Sequence, residues 1–404
     1  MAKLPEQKKF DLTLEKIDEA LERKKALEKP RHYLGMSEIG EECWRKLFYS
    51  FRNAEKKEWK ALGVKATEDG FLQEDLMALR LRMLPSIELH TNNSNTINNV
   101  LGSRITSDED KKDQIGFTIL LNHFCGHVDG IIRGIIEAPL TWHVWENKSV
   151  NETKFNKLIK IREEKEEKQA LVEWDIIYYA QSQIYMHCAE LERHFLTVCL
   201  PGSRDYISIR TEYNRKYAES IIEKARVIIF DNWNISAKLS EDREFYKCKW
   251  CEFQKICHDK EFPLVHCKTC RYSEPIENGQ RKCLLKEEII DESKLNIECK
   301  NHIYNPALIQ AKLIEHQQDG CLYFIEDKDI YFSNTELTGI PEPKGRCDAI
   351  YTSKELREKI KSIDNISKDV IKIQKKFDGE ITKKNPPEIK AWDNKKLDLR
   401  LKEI

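Results

Sequence analysis

An α/β fold is predicted by three features of the sequence. Two apolar, β-rich runs joined by a turn fill residues 117–150. Helical runs at 174–193 and 215–229 flank a strand pair, and the cysteines fall in close-spaced clusters. The chain of 404 residues can hold two or three domains and a sizeable core. A net charge of −1 gives no global positive field, so any nucleic-acid surface would have to be local. No run is long and apolar enough to span a bilayer, and residues 1–30 are too charged for a signal peptide. A soluble, cytoplasmic protein without membrane partners is expected. Thirteen cysteines in metal-like spacings point to an intracellular metal protein rather than a disulfide scaffold.

Phe10 to Glu28 carries Phe10, Leu14, Ile17 and Leu21 at helical spacing and stops before Pro30, which predicts a packing helix. Ser37 is placed to cap a helix containing Cys43, Arg45, Leu47 and Tyr49. Residues 66–83 form a further helix with Leu72, Leu76, Leu79 and Met83 as its apolar stripe. Glu74 lies off that stripe, one turn after Gly70. Residues 91–115, rich in Asn and charge, read as a loop, and 154–168 as a mixed charged helix or loop.

Phe117 to Leu121 and Phe124 to Ile136 suit a pleated, buried surface, and Gly126 and Gly130 bracket Asp129. Glu137-Ala138-Pro139 turns the chain into Leu140 to Lys148. Residues two apart on a strand share a face, so Glu146 and Lys148 point the same way. Two carboxylates and an ammonium gathered at a strand end would hold Mg²⁺ and activate a water for phosphodiester attack. The Glu-Xaa-Lys pattern recurs at Glu22/Lys24, Glu55/Lys57, Glu163/Lys165, Glu326/Lys328 and Glu388/Lys390, in charged segments that read as solvated faces. Only the copy at 146–148 closes an apolar run beside a glycine-flanked Asp.

The helix from Trp174 to Arg193 buries Ile177, Ala180, Ile184, Cys188 and Leu191. Gln181 and Tyr185 share its neighbouring face, suited to a nucleic-acid strand or to orienting a catalytic lysine. His194–Leu200 and Tyr206–Thr211 read as a strand pair, and Arg215–Ile229 as an amphipathic helix.

Cys248, Cys251 and Cys257 form a Cys-x2-Cys-x5-Cys set, with Cys43 as the natural fourth ligand. Four thiolates suit Zn²⁺ or an iron–sulfur cluster, and spacing does not choose between them. Either would staple a loop of about two hundred residues. Cys267, Cys270, Cys283 and Cys299, with His302 as the alternative to Cys299, resemble a zinc ribbon with a closed, structural ligand set. Cys125, Cys188, Cys199, Cys321 and Cys347 read as core residues. Cys321 to Phe332 reads as a hairpin, Ser353 as a helix start, and 366–404 as a lysine-rich tail.

Taken in order, Cys43, Gly70-x3-Glu74, Gly-His-Val-Asp129-Gly, Glu146-Asn-Lys148, Gln181-x3-Tyr185 and the 248–257 cysteines resemble the RecB-type branch of the PD-(D/E)XK nucleases. The likeness is to its iron–sulfur members, the AddB-type domains and CRISPR-adaptation exonucleases, and the trailing cysteines look like those of phage-borne relatives. The resemblance implies a restriction-endonuclease-like core, a mixed central sheet flanked by helices. It implies Mg²⁺ or Mn²⁺ held by Asp129, Glu146, the Asn147 carbonyl and Glu74, which stands where many RecB-type enzymes have histidine. Lys148 would position the attacking water and stabilise the phosphate; Gln181 and Tyr185 would contact DNA and support Lys148. His127 is expected to pack in the core or support the site rather than ligate.

Cys43, Cys248, Cys251 and Cys257 would hold a structural [4Fe–4S] cluster. The expected layout is an N-terminal helix (1–30), a nuclease domain (31–262), a zinc module (263–305) and an α+β appendage with its tail (306–404). The expected function is an exonuclease acting on DNA in recombination, repair or phage DNA processing, with recombination or replication proteins as further partners. The alternatives are an endonuclease of the same fold, a non-catalytic iron–sulfur DNA-binding protein, and a redox protein.

Overall fold

The computed structural model describes residues 11–367, apart from 95, 96, 98, 99, 102–113, 203, 235, 318, 319 and 336–345. The expected lysine-rich tail therefore lies almost wholly outside the described residues. The chain divides into two units. The first comprises Met1–Asp231, Ala237–Ser240 and Pro275–Arg281; the second comprises Asn232–Ser236, Glu241–Glu274 and Lys282–Ile404. Both mix strands and helices, as expected of an α/β chain. No described helix is long and apolar enough to cross a membrane.

In the first unit, helix α1 (Leu12–Ala26) buries none of its residues: of the expected stripe Leu14 and Ile17 are exposed and Leu21 is half-buried, while Phe10 lies outside the described residues. It is tied to its neighbour by polar contacts, Glu22 accepting from the Ala61 N–H and Asp18 pairing with Lys65. Strand β1 (Leu34–Gly35) leads to helix α2 (Trp44–Phe51). The N-cap of α2 is Cys43; Ser37 sits upstream in a 3-10 turn over Met36–Glu38.

Helix α3 (Ala61–Leu81) runs longer than its sequence signal and presents a different face inward. Val64, Met77 and Ala78 are buried, whereas Leu72 and Met83 are 65% and 78% exposed. The Leu72/Leu76/Leu79/Met83 stripe expected in the core is thus a surface stripe. Periodicity identified the helix; it could not say which of two adjacent faces meets the sheet. Met77→Ala should cost about 2–5 kcal/mol of stability, and Leu72→Gln less than about 0.5 kcal/mol. Thermal melts of the two variants check this, and equal losses would contradict the assigned face.

Strands β2 (Glu88–His90), β3 (Gly116–Ile119), β4 (Phe124–His127), β5 (Gly130–Arg133) and β6 (His143–Ser149) follow. The long run from Phe124 to Ile136 is two strands. β4 joins a three-stranded sheet in the order β1-β4-β3, while β5 joins the main sheet, and Val128-Asp129 lies at the crossing. Gly130 permits this passage, because a Cβ there would stand 2.8 Å from the His90 carbonyl oxygen.

Helices α4 (Glu152–Glu164), α5 (Glu167–Trp174) and α6 (Ile176–Ala189) precede β7 (Arg193–Cys199), β8 (Tyr206–Glu212) and helix α7 (Arg215–Phe230). The main sheet runs β2-β5-β6-β7-β8, with only the β6–β7 pair parallel. A parallel neighbour requires a crossover, supplied here by α4 to α6. Ala180 and Ile184 of α6 and Ala225 and Ile228 of α7 pack with Val144 and Ile131 of the sheet in one core cluster.

The small sheet β9 (Ser273–Pro275), β10 (Arg281–Cys283), β11 (Glu288–Ile290) follows in the order β11-β10-β9. The second unit's larger sheet is β12 (Lys312–Gln317), β13 (Gly320–Ile325), β14 (Ile330–Thr335) and β15 (Ala349–Tyr351). Its hairpin turns at Glu326–Lys328, where expected. Tyr304, Tyr323, Phe332 and Leu356 centre its core. Of the five cysteines expected in cores, Cys125, Cys188, Cys199 and Cys321 are buried and Cys347 is half-buried.

Candidate active site

The register of the main sheet builds the site. Gly130 on β5 faces Trp145 on β6 in an antiparallel pair. Asp129, one residue earlier, therefore arrives opposite Glu146 although it lies outside the strand. The Asn147 N–H donates to Asp129 Oδ2 at 2.7 Å, and the Asp129 N–H reaches Glu146 Oε1 at 3.4 Å. Lys148, two residues along β6, projects to the same face and donates to Glu146 Oε2 at 2.6 Å.

Helix α6 covers this face. Gln181 Nε2 donates to Glu146 Oε2 at 3.0 Å and lies 3.4 Å from the Tyr185 hydroxyl. The pair, expected on a face suited to a nucleic-acid strand or to orienting a catalytic lysine, is 5% and 1% exposed, beside Glu146 inside the site. The N-cap of α6 is Asp175, whose Oδ1 accepts from the Ile177 and Tyr178 N–H groups while Oδ2 pairs with Lys154 at 2.6 Å. Lys154 lies 4.1 Å from the Tyr178 ring centroid, and Lys148 5.5 Å, so this corner combines cations with an aromatic ring.

Glu74 enters from α3. It lines a cavity of about 390 Å³ together with Asp129, Trp145, Asp75, Ala78 and Arg82. The expected set Asp129, Glu146, Lys148, Gln181 and Tyr185 is thus gathered in one place, with Glu74 across the cavity. Among the described residues, no three His, Cys, Asp or Glu side chains stand close enough together to hold a metal ion.

The donor set nevertheless fits a hard divalent cation. Glu146 is 2% exposed, and burial, then repulsion from Asp129, push its carboxyl up to about 8 against the opposing pull of Lys148. Glu74 adds a further push. Carboxylate oxygens crowded in this way are relieved by a cation, and oxygen donors select Mg²⁺ or Mn²⁺. Burial pulls the Lys148 ammonium down, but Glu146 and Asp129 outweigh it and hold the amine protonated. Burial drives the Tyr185 phenol above its ordinary range. It also pushes His194, on β7, down to about 3, so that imidazole is neutral.

A carboxyl raised in the folded state stabilises the fold below its unfolded value and loses that contribution as pH climbs through the folded one. Metal-free protein should therefore lose thermal stability from about pH 4.5 to about pH 8 on account of Glu146. Melting curves in chelator across that range check this. Glu146→Gln should flatten the slope, and an unchanged slope would contradict it.

Thr197 escaped the sequence reading. From β7 it donates to Asn147 Oδ1 at 2.9 Å and accepts from Trp145 Nε1 at 3.0 Å, fixing the middle of the Glu-Asn-Lys segment. Only the parallel register pairing Asn147 with Thr197 reveals it. His127, expected on the strand face of Asp129, ends β4 in the other sheet, before the chain crosses.

The cysteines take three positions. Cys43 caps α2 in the first unit. Cys248, Cys251 and Cys257 lie in the second unit, in and after the short helices Tyr246–Lys249 and Gln254–Cys257. Cys267, Cys270, Cys283 and Cys299 line one small cavity of the second unit. The redox and four-thiolate expectations for the first set stay on spacing and resemblance.

No family model matches this chain, and no curated protein does. Among solved structures it is similar to an alkaline exonuclease from Laribacter hongkongensis, with 14% identity and a TM-score of 0.32 over 52% of this chain and 90% of that one. It is also similar to a phage-related exonuclease from Haemophilus somnus, with 11% identity and a TM-score of 0.29 over 46% of this chain and 77% of that one.

Proposed function

We propose that this protein is a divalent-metal-dependent DNA nuclease of the PD-(D/E)XK kind, acting on strand ends. One observation carries the reading: the Asp129 and Glu146 carboxylates and the Lys148 ammonium meet on one face, with Lys148 donating to Glu146 at 2.6 Å. Asp129, Glu146 and the Asn147 carbonyl would hold Mg²⁺ or Mn²⁺, with Glu74 contributing from across the cavity. The metal, when bound, polarises the scissile phosphate and lowers the pKa of the attacking water. Lys148 supplies fixed positive charge where negative charge develops on the phosphate. From α6, Gln181 donates to Glu146 and to the Tyr185 hydroxyl and so orients the Glu146 carboxylate that Lys148 also reaches.

Labelled linear and covalently closed circular DNA, incubated with Mg²⁺, Mn²⁺ or chelator, test the proposal. Metal-dependent loss of linear DNA with circles intact is the expected result. Nicked circles would make the enzyme an endonuclease, and intact DNA in every lane would sink the proposal.

A further inference from the structure

We infer that Cys267, Cys270, Cys283 and Cys299 form a structural zinc site in the second unit, independent of any nuclease activity. The four thiols come from three separate pieces of chain. Cys267 and Cys270 bracket a 3-10 turn in which the Cys270 N–H donates to the Cys267 carbonyl at 3.1 Å and the Ser273 N–H to the Cys270 carbonyl at 3.3 Å. Both cysteines line one cavity. Cys283 ends β10, held beside Tyr272 by the Leu284 N–H bond to the Tyr272 carbonyl at 2.8 Å. Cys299 arrives on the loop before Ile303, whose carbonyl accepts from the Arg271 N–H at 2.9 Å.

All four line the same cavity, whose open volume is about 20 Å³. That is room for one water-sized particle and little else. Four cysteine sulfurs around a space of this size, too small for a substrate, suit closed tetrahedral Zn²⁺. The thiols stand around the cavity, not yet at coordination distance, so the ion would draw turn, strand and loop together and stabilise their folded arrangement.

His302 stands outside the four-cysteine cavity. Its Nε2 lies 3.1 Å from Thr269 Oγ1, its ring packs edge-on against Tyr304 at 4.9 Å, and it does not line the cavity. Cys299 is the fourth ligand.

The test is metal analysis of the full-length chain after zinc reconstitution, beside Cys267→Ser, Cys283→Ser, Cys299→Ser and His302→Asn. Each cysteine variant should lose about one equivalent of zinc, and His302→Asn should keep it. Zinc content equal to the parent's in the cysteine variants would overturn the site, as would a parent that takes up no zinc or holds disulfides among these residues. Loss in His302→Asn with retention in Cys299→Ser would overturn the ligand set. Cobalt titration of the unmutated chain guards against misfolded variants. Intense thiolate charge-transfer and tetrahedral ligand-field bands are expected, and a weak octahedral spectrum would refute the proposal.

Discussion

Asp129→Asn is expected to abolish metal-dependent DNA cleavage, lowering the rate at least about 1,000-fold while leaving the melting temperature almost unchanged. The amide is the same size and still accepts the Asn147 N–H bond, so the crossing between the two sheets survives. What disappears is a formal negative charge facing Glu146. A bound cation supplies several kcal/mol of transition-state stabilisation, and each 1.36 kcal/mol is worth about tenfold in rate. Initial rates under saturating Mg²⁺, with a thermal melt beside them, decide the matter. A variant that cuts within tenfold of the parent would show that Asp129 is a structural acceptor for the Asn147 amide and nothing more.

Lys148→Met should reduce the rate by about 100- to 1,000-fold, the usual consequence of removing one preorganised donor from a developing oxyanion. It carries a second consequence that a merely structural lysine would not. Lys148 pulls the Glu146 carboxyl down, yet burial and Asp129 still hold it up at about 8. Without the ammonium the carboxyl rises further, so Glu146 stays protonated to higher pH and metal binding is delayed. The acid limb of the pH–rate profile should therefore move toward alkaline pH in Lys148→Met. A uniform loss of rate with no movement of that limb would separate Lys148 from Glu146 and contradict the coupling seen at 2.6 Å.

Much of this site was legible before the structure, because its parts are local. Glu146 and Lys148 are two residues apart, and alternation along a strand sets their common face. Gln181 and Tyr185 are one helical turn apart. Asp129 was legible as chemistry but not as geometry. The apolar run from Phe124 to Ile136 hides a change of sheet at Val128-Asp129, and only long-range pairing of β4 with β1 and β3 reveals it. The α3 stripe shows a different limit. Leucines at helical spacing mark an amphipathic helix equally well whether they face the sheet or solvent, and tertiary packing chose Met77 and Ala78. The Thr197 contact joins residues 50 apart, beyond any periodicity.

Binding of Mn²⁺ to the chain, followed by calorimetry or electron paramagnetic resonance without DNA, tests most directly whether Asp129 and Glu146 share one ion. One saturable site is predicted in the parent, tightening as pH rises toward about 8 and lost in both Asp129→Asn and Glu146→Gln. A site that persists unchanged in the two variants, or that ignores pH, would contradict the account.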